Sequence, residues 1–365
     1  MKRSSELRRG KEDTPLHTVS VDASTRYDIH IGPGILNKLG PFLRQLKHVQ
    51  KVCIVSDSNV SLLYGAMVHD MLEHEDLVVT DFVFPSGEEN KTTKTYLALL
   101  THLAQHQLTR TDLIIALGGG VTGDMAGFAA ATYLRGIRYV QIPTTLLAAV
   151  DSSVGGKTAI DLPVGKNLVG AFHQPSFVLC DTDLLNTLSE DIFRDGCAEV
   201  VKYAILYDTA LFDHLERNGL AFDKSSVIAR CVHLKRDAVV TDEFDNGIRK
   251  KLNLGHTIGH AVEKASSFTI SHGQAVSIGI SIIARFAART GLCPQSDCDR
   301  IISLLSMLGL PTHTSITSEE LLQATLTDKK RHGDMIDLII PRRIGDCTIS
   351  SVSIEQIPEM IRTGM

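Results

Sequence analysis

Three of the chain's 15 histidines lie in one short segment, at spacings that permit shared chemistry. His256 and His260 are four residues apart, so a helix would place both on one face. Arg249 and Asn253 extend that face backwards at helical spacing, and His272 follows after a short serine-rich break. Because imidazole is the commonest metal ligand, the segment predicts one wall of a polar, metal-binding site.

A catalytic metal needs about three protein ligands and one open position, so an acidic partner is expected elsewhere. The segment FRDGCAEVVKYAIL supplies Glu199 on a helical pattern, with Lys202 one turn later on the same face. A carboxylate among such apolar neighbours is costly to bury without a partner. A divalent cation would be such a partner; a buried Glu199–Lys202 ion pair is the alternative.

A glycine-rich turn follows the apolar run DLIIAL and opens a helical pattern. Gly118, Gly120 and Gly123 satisfy G-x-G-x-x-G, which lets the backbone approach a pyrophosphate at a helix N-terminus. Asp124 stands where a carboxylate could receive a ribose hydroxyl. The turn lies far from the first strand, unlike the usual Rossmann fingerprint, and glycines that only pack a strand against a helix are the alternative. Two further polar turns offer groups to the same ligand, or act as turns and helix caps: residues 57–59 and 86–91.

Residues 151–167 read DSSVGGKTAIDLPVGKN, a segment predicted to be rich in loops. Lys157 and Lys166 each follow a glycine, and a lysine beside flexible glycines is suited to binding an anion. One such pair would be typical of a solvated loop. Two pairs directly after a predicted strand favour phosphate binding, although the spacing is not that of a Walker A loop.

Composition and charge exclude several classes of protein. The net charge is -5, so no overall basic field indicates nucleic acid binding. No stretch reaches the roughly 18 uninterrupted apolar residues of a membrane span. The 7 cysteines form no C-x-x-C pair, which is typical of core thiols in a reducing compartment. The charged N-terminus lacks the apolar region of a signal peptide, so we expect a disordered tail over residues 1–18 and a cytoplasmic protein.

The order of the predicted elements indicates an α/β fold in two domains. The first half alternates apolar runs with helical patterns, as in a parallel sheet, and long helical patterns dominate after about residue 184. We therefore predict a Rossmann-like nucleotide-binding domain at 1–183 and a mostly α-helical metal- and substrate-binding domain at 184–365. A small hairpin is expected to turn at 343–345. The strand-bearing segments are 51–57, 78–90, 112–133, 138–153 and 176–181, and helices are predicted at 93–108, 189–206, 208–217, 225–240, 252–265, 273–291, 295–308 and 318–326.

From about residue 20 onward the chain resembles the 3-dehydroquinate synthase family. The motifs that carry this resemblance are GGGVTGD, YLRGIRYVQIPTTLLAAVDSSVGGKTAIDLPVGKNLVGAF, GCAEVVKYAI, LNLGHTIGHA and SHG. The resemblance implies NAD and a divalent metal, Zn²⁺ or Co²⁺, and it implies a homodimer. It also implies conversion of 3-deoxy-D-arabino-heptulosonate 7-phosphate, a phosphorylated sugar acid, to 3-dehydroquinate and phosphate. The steps would be transient oxidation at C5, phosphate elimination, re-reduction, ring opening and aldol closure.

The resemblance also assigns residues, each by its position in these motifs. The metal ligands would be Glu199, His256 and His272. The nucleotide contacts would be Asp57, Asn59, Glu88, Lys91, Gly120, Val121, Thr122, Gly123, Asp124, Thr144, Thr145, Lys157 and Lys166. The substrate and catalytic positions would be Arg135, Asp151, Lys157, Lys166, Asn167, Lys202, Lys235, Arg249, Asn253, His260 and one of Lys329 or Lys330.

Within that set, two groups would hold the two anionic ends of the substrate. The substrate phosphate would contact Arg135, Lys157, Asn167 and His260, and the carboxylate would contact Lys235, Arg249, Asn253 and Lys329 or Lys330. The phosphate could itself take the C6 proton, with His260 or Lys202 assisting. One position departs from the family: Gln274 stands where a glutamate usually follows the second metal histidine, which predicts altered metal affinity or tuning if that carboxylate supports the metal.

Three other functions compete with this one. A sister sugar-phosphate cyclase, such as a 2-epi-5-epi-valiolone or 2-deoxy-scyllo-inosose synthase, takes a substrate without the carboxylate and would not need Lys235, Arg249 and Asn253. A metal-dependent glycerol-type dehydrogenase would release NADH stoichiometrically and leaves the two Gly-Lys pairs without a purpose. A nucleotide-binding regulatory protein with a structural metal leaves the cations around the histidines unexplained.

Overall fold

A computed structural model describes residues 16–325, 331–332 and 335–365. Its first element is an antiparallel pair, β1 (His17–Asp22) and β2 (Arg26–Gly32). The prediction of a disordered tail through residue 18 is therefore wrong for its last two residues. The reason is that β1 pairs from His17 onward and buries Val19 and Val21 against the core. Residues 1–15 lie outside the described part of the chain.

A seven-stranded sheet forms the centre of the N-terminal half, in the order β1-β2-β9-β6-β5-β3-β4. From β2 to β4 the neighbouring strands are parallel, as predicted. The chain winds outward in one direction from β3 and in the other from β5, so the strand order reverses between them, where α/β sheets usually bind ligands. The strands are β3 (Lys51–Asp57), β4 (Val78–Phe84), β5 (Leu113–Gly118), β6 (Arg138–Pro143), β7 (Lys157–Leu162), β8 (Gly165–Phe172) and β9 (Phe177–Asp181).

The predicted loop at 151–167 is wrong for most of its length. Residues 157–172 form the antiparallel hairpin β7–β8, separate from the large sheet. Its first strand alternates exposed Lys157 with buried Thr158 and Ile160, a period of two that the glycines on either side obscured. The lysines of the two Gly-Lys pairs therefore lie at the starts of two strands. Lys157 is the first residue of β7, and Lys166 is the second residue of β8.

Helices cover both faces of the large sheet and build the C-terminal half. Apolar residues of α1 and α3 pack on one face of the sheet, and those of α4 and α5 pack on the other. The helices are α1 (Leu39–Leu43), α2 (Ser58–Val60), α3 (Ala66–Glu73), α4 (Thr93–Gln105), α5 (Gly120–Thr132), α6 (Glu190–Tyr207), α7 (Thr209–Asn218), α8 (Lys224–Thr241), α9 (His256–Ala265), α10 (His272–Arg289), α11 (Gln295–Met307), α12 (Ser318–Thr325) and α13 (Ile357–Gly364).

The C-terminal half is mostly helical, as the sequence predicts, and the largest apolar core lies among its helices. Its small sheet is β10 (Arg331–His332), β11 (Met335–Arg343) and β12 (Asp346–Ser353), and the predicted turn between 343 and 345 is confirmed. The α/β fold class is therefore confirmed. The domain boundary at 183/184 stays a prediction; it falls between the last sheet strand and α6.

Two features of composition reappear in the fold. All seven cysteines are buried free thiols, as expected for core residues. Among the described residues, no helix combines the length and apolar character needed to cross a membrane.

Candidate active site

Glu199, His256 and His272 meet between three helices of the C-terminal half. They come from α6 and from the first residues of α9 and α10, and their ligand atoms all lie within 4.8 Å of one another. The Nε2 atoms of both histidines are 3.4 Å from Oε1 of Glu199. Three helices thus direct one carboxylate and two imidazoles at a common point.

The histidine segment is not one continuous helix. Arg249 and Asn253 lie in a separate 3₁₀ turn (Ile248–Asn253), and Gly255 adopts a left-handed conformation (φ 77°) before α9 begins. The predicted single stripe of four residues is therefore wrong. The helical spacing of these residues continues across Gly255 in the sequence. Spacing alone does not show that the backbone changes direction at this glycine.

The Glu199 carboxylate has the environment expected of a cation ligand. It is fully buried, and among the described residues neither of its oxygens has a hydrogen-bond partner of ordinary geometry, although Lys202 forms an ion pair with it. His256 Nδ1 is 3.0 Å from the carbonyl oxygen of Leu254, which can only accept, so Nε2 keeps its lone pair towards Glu199. One carboxylate oxygen and two imidazole nitrogens fit Zn²⁺ or Co²⁺.

The charges around His272 also favour a cation at this position. Burial acts to lower the pKa of His272, but the carboxylates of Glu199 and Glu263 on its two sides raise that pKa to about 10. Burial lowers the pKa of His256. Surroundings acidic enough to hold a proton on one imidazole equally favour a divalent cation between the ligands.

A network of buried lysines adjoins this cluster. Asp151 Oδ1 lies 2.9 Å from Lys235 Nζ and 3.6 Å from Lys202 Nζ, and it also accepts a hydrogen bond from Tyr203. Burial acts to raise the pKa of Asp151, but the two lysines hold it below its usual range. Burial lowers the pKa of Lys235 to about 8, while the Lys202 pKa is raised, despite burial, by Asp151 and Glu199. Lys202 therefore keeps its charge at neutral pH.

Glu263 is a member of the site that the sequence reasoning missed. Its Oε2 is 3.5 Å from His272 Nδ1, and its Oε1 is 3.0 Å from Lys166 Nζ. It also belongs to a second group of possible cation ligands with His260 and His272. Its position seven residues after His256 and three after His260 puts it on the histidine face of α9, a signal that was present in the sequence.

The Gln274 side chain is engaged at the start of its own helix. Its Oε1 accepts a hydrogen bond from Ser271 N at 3.3 Å, which forms a capping box at the start of α10. Its backbone N–H donates to Asp195 at 3.1 Å. These contacts of Gln274 do not include His272. The prediction that a glutamine at this position alters metal binding therefore gains no support from them and stays a prediction.

The predicted nucleotide residues gather at the carboxyl edge of the large sheet. Lys91 Nζ lies 2.6 Å from both Asp124 Oδ2 and Asn167 Oδ1, which joins the glycine-rich turn to the β7–β8 hairpin. Lys91 also lies 3.8 Å from Glu88, and Lys166 lies 3.9 Å from the same carboxylate. Burial raises the pKa of Asp124, which Lys91 opposes.

The glycine-rich turn offers polar groups of the kind that a dinucleotide requires. α5 begins after Gly119 with no side-chain cap, and a Cβ on that glycine would lie 3.2 Å from the Thr145 methyl group. Among the described residues, the buried hydroxyls of Thr122 and Thr144 have no hydrogen-bond partner. Free N–H groups and unpaired hydroxyls at a helix N-terminus fit a pyrophosphate.

Two other residues of the predicted nucleotide set have structural roles. Asp57 caps α2, since its side chain accepts hydrogen bonds from Asn59 N at 2.9 Å and Val60 N at 3.1 Å. Gly123 packs against β6, where a Cβ would lie 2.6 Å from the Gln141 side-chain oxygen. The caps anticipated as the alternative for residues 57–59 are thus present.

The predicted substrate residues are only partly brought together. The His260 ring lies 5.6 Å from that of His256, centroid to centroid, and 6.2 Å from that of His272. Lys157 forms an ion pair with Asp245. Arg135 is exposed in a turn beyond the far end of α5, more than about 12 Å along the helix axis from Asp124.

The predicted carboxylate-binding residues differ in their availability. Arg249 is buried, and its guanidinium donates to the carbonyl oxygens of Gly155, at 3.0 Å, and Glu243. Asn253 donates to the carbonyl oxygen of Lys250 at 3.1 Å. Lys235 points its ammonium at Asp151. Lys329 and Lys330 lie outside the described residues.

Comparison with known proteins assigns the chain to a family. Family models described as 3-dehydroquinate synthase N-terminal and C-terminal match residues 81–195 and 196–331. A 3-dehydroquinate synthase of Pelobacter propionicus is 44% identical over 339 residues, which are 91% of this chain and 94% of that protein. The chain belongs to the 3-dehydroquinate synthase family. The resemblance carried by the sequence motifs is therefore confirmed.

Solved structures of related cyclases share the fold of this family member. A 2-deoxy-scyllo-inosose synthase complexed with carbaglucose-6-phosphate, NAD⁺ and Co²⁺ superposes with a TM-score of 0.87 at 27% identity, over 96% of this chain and 100% of that one. A 2-epi-5-epi-valiolone synthase from Streptomyces hygroscopicus with NAD⁺ and Zn²⁺ bound gives 0.86 at 28% identity, over 95% and 98%. The two-part α/β and helical architecture is thus that of the sugar-phosphate cyclases.

Proposed function

We propose that the protein is a 3-dehydroquinate synthase, a phosphate-eliminating lyase that converts 3-deoxy-D-arabino-heptulosonate 7-phosphate to 3-dehydroquinate and phosphate. The observation that carries the proposal is the meeting of a cation-ligand cluster with a network of buried lysines: Glu199, His256 and His272 adjoin Lys202 and, through Asp151, Lys235. A sugar acid that carries both phosphate and carboxylate needs such positive charge. Family membership supports the same activity.

Glu199, His256 and His272 would hold the divalent cation, Zn²⁺ or Co²⁺. When bound, the cation would lower the pKa of a substrate hydroxyl and so favour its oxidation. Lys202 keeps the neighbouring Glu199 carboxylate charged and in place. Because the pKa of Lys202 is raised, we assign it the role of a fixed ammonium that donates hydrogen bonds to substrate oxygens.

NAD would occupy the carboxyl edge of the sheet, over the glycine-rich turn and the hydroxyls of Thr122 and Thr144. When bound, NAD would take the C5 hydride and return it, so that none is consumed, and the protein would orient the two reactants. Asp124 is held by Lys91 at the start of α5, within the region where a ribose would lie.

The remaining cations would hold the two anionic ends of the substrate. We assign Lys235 to the substrate carboxylate because its ammonium is buried and shares the single Asp151 carboxylate with Lys202. His260 lies beside both histidine ligands, with an imidazole suited to moving a proton at neutral pH. Since Lys202 stays protonated, we assign the assisting proton transfer at C6 to His260.

One assay separates this function from its competitors. The protein is incubated with the heptulosonate phosphate, NAD and Zn²⁺, and both phosphate release and NADH absorbance are followed. A 3-dehydroquinate synthase releases phosphate with no net NADH. Accumulation of NADH from a simple polyol would instead indicate a dehydrogenase, and turnover of a sugar phosphate without the carboxylate in preference to the sugar acid would indicate a sister cyclase.

Three accompanying predictions belong to the proposal. We expect a homodimer, a cytoplasmic location and a division of the chain near residue 184 into nucleotide-binding and metal-binding domains. The first follows from the family alone, and sedimentation of the purified protein measures it directly.

A further inference from the structure

The imidazole of His272 lies between two carboxylates. Its Nε2 is 3.4 Å from Glu199 Oε1, and its Nδ1 is 3.5 Å from Glu263 Oε2. Glu199 belongs to the proposed ligand cluster, whereas Glu263 is on the opposite side of the ring. Since Nε2 is the atom directed at the cluster, Nδ1 is the atom that must carry the proton if His272 is to bind a cation.

Glu263 is well placed to accept that proton. Its side chain is only 4% exposed, so a carboxylate there needs partners. One partner is His272; the other is Lys166 Nζ, 3.0 Å from Oε1. Lys166 reaches across from β8, so the hairpin on the nucleotide side holds Glu263 at a fixed position relative to α10.

We propose that Glu263 is a positioning residue, which fixes the ring orientation and tautomer of His272 and thereby sets the cation affinity of the site. This inference rests on the proposed role of His272 as a ligand. Metal-bound histidines usually donate their other ring N–H to a carboxylate or carbonyl, and loss of that partner typically weakens metal binding 10- to 100-fold. For His256 the partner of the other ring nitrogen is the carbonyl oxygen of Leu254. For His272 the partner is the carboxylate of Glu263.

The observed contacts of residue 274 are separate from this one, because the Gln274 side chain caps α10. The carboxylate that faces His272 Nδ1 comes from α9, from Glu263.

A competing explanation is that Glu263 itself binds a second cation. His260, Glu263 and His272 also have ligand atoms within 4.8 Å of one another. That arrangement requires Nδ1 of His272 to lose its proton, and Lys166 already neutralises part of the charge on Glu263. The positioning role needs neither change, and the two explanations differ in the number of cations bound.

The test compares Glu263→Gln with wild type and with Asp208→Asn. Asp208 is a matched control because its side chain is also 4% exposed and forms an ion pair, with Arg230, outside the cluster. Zn²⁺ affinity is measured by competition with a chromophoric chelator, stoichiometry by metal analysis, and ligand geometry by the visible spectrum of the Co²⁺ form. We expect Glu263→Gln to bind one equivalent 10- to 100-fold more weakly with an altered Co²⁺ spectrum, while Asp208→Asn keeps the wild-type affinity and spectrum.

Activity adds a second readout. We expect kcat of Glu263→Gln to recover when the cation is raised to saturation, which a general loss of structure would not allow. If Glu263→Gln does not fold, Glu263→Asp keeps the charge, withdraws it by one methylene and should weaken binding to a smaller extent. Affinity within twofold of wild type, an equal loss in Asp208→Asn, or loss of one of two equivalents would each overturn the proposal.

Failure of this inference is distinguishable from failure of the proposed function. His256→Ala should abolish tight Zn²⁺ binding if the ligand cluster is correct. If wild type and His256→Ala bind Zn²⁺ equally, the metal site itself is wrong; if only His256→Ala is impaired, the error lies in the role given to Glu263.

Discussion

The backbone of Gly279 in α10 lies directly against the carbonyl group of Gly255, the residue that precedes His256. A Cβ at position 279 would overlap that carbonyl oxygen, and a Cβ at 255 would lie 2.8 Å from the carbonyl oxygen of Val276. The two helices therefore cross at van der Waals contact of their backbones. This crossing sets the distance between His256 and His272, each of which begins its helix.

Gly279→Ala should accordingly loosen the metal site as well as the fold. The added methyl group must push α9 and α10 apart, at a cost of about 1–3 kcal/mol in the free energy of unfolding. We expect a lower Tm and weaker Zn²⁺ binding, measured by thermal unfolding and chelator competition. Gly65→Ala is the control, because it also lies in a helical segment and meets only the flexible Ser61 side chain. Equal Tm values for the two variants would contradict the role of the crossing.

The sequence predicted the elements with strong periodicity and missed those defined by pairing or by glycine. The helices that carry Glu199 and His272, and the buried strands β3 and β5, begin within two residues of their predicted positions. The β1–β2 pair and the β7–β8 hairpin were missed, because polar residues and glycines mask a period of two in short strands. The ligand set depended on motif resemblance, since periodicity alone relates His256 to His260 and not to Glu199.

The neighbourhood of the ligands was harder to predict, because it depends on contacts between distant segments. The pairing of Lys166 with Glu263 joins the β7–β8 hairpin to α9, and that of Lys235 with Asp151 joins α8 to the helical turn Ala148–Ser152. Spacing within one segment carries no information on either pair. Lys157 and Arg249 were predicted to face the substrate, yet both already have protein partners.

Gln274→Glu should leave cation affinity within about twofold of wild type. A glutamate at this position can accept the same hydrogen bond from Ser271 N and adds a favourable charge at the helix N-terminus, which stabilises the fold by about 0.5 kcal/mol. Gln274→Ala should lower stability by about 1 kcal/mol through loss of the cap. Zn²⁺ competition and thermal unfolding measure both effects. A tenfold gain in affinity for Gln274→Glu would show that residue 274, and not the cap alone, reaches the metal.

Lys235 should give the activity an alkaline limit. Burial lowers its pKa to about 8, Asp151 opposes that shift, and Arg249 and Lys202 add to it. The amine is charged below pH 8 and neutral above it, so binding of a substrate carboxylate weakens as pH rises through 8. We expect kcat/KM, which reports the free enzyme, to fall about tenfold per pH unit above that value.

Lys235→Arg provides the matching test, because a guanidinium stays charged throughout this range. We expect kcat/KM of the variant no longer to fall above pH 8, even if its overall kcat/KM is reduced by the different shape of the group. Circular dichroism over the same pH range excludes unfolding as the cause. If kcat/KM of Lys235→Arg still falls above pH 8 as in the wild type, a group other than Lys235 is responsible for the pH dependence.

His260→Ala should lower kcat more than it raises KM, because we assign its imidazole to proton transfer and the ligand cluster does not require it. General acid–base groups typically contribute 10²–10⁴-fold, so we expect a loss of kcat of at least about 100-fold. Zn²⁺ affinity should change little, which separates this variant from Glu263→Gln on the same face of α9. The decisive measurement is single-turnover phosphate release with saturating NAD and Zn²⁺. Unaltered turnover would rule out His260 as the proton-handling group and return that role to the substrate's own phosphate.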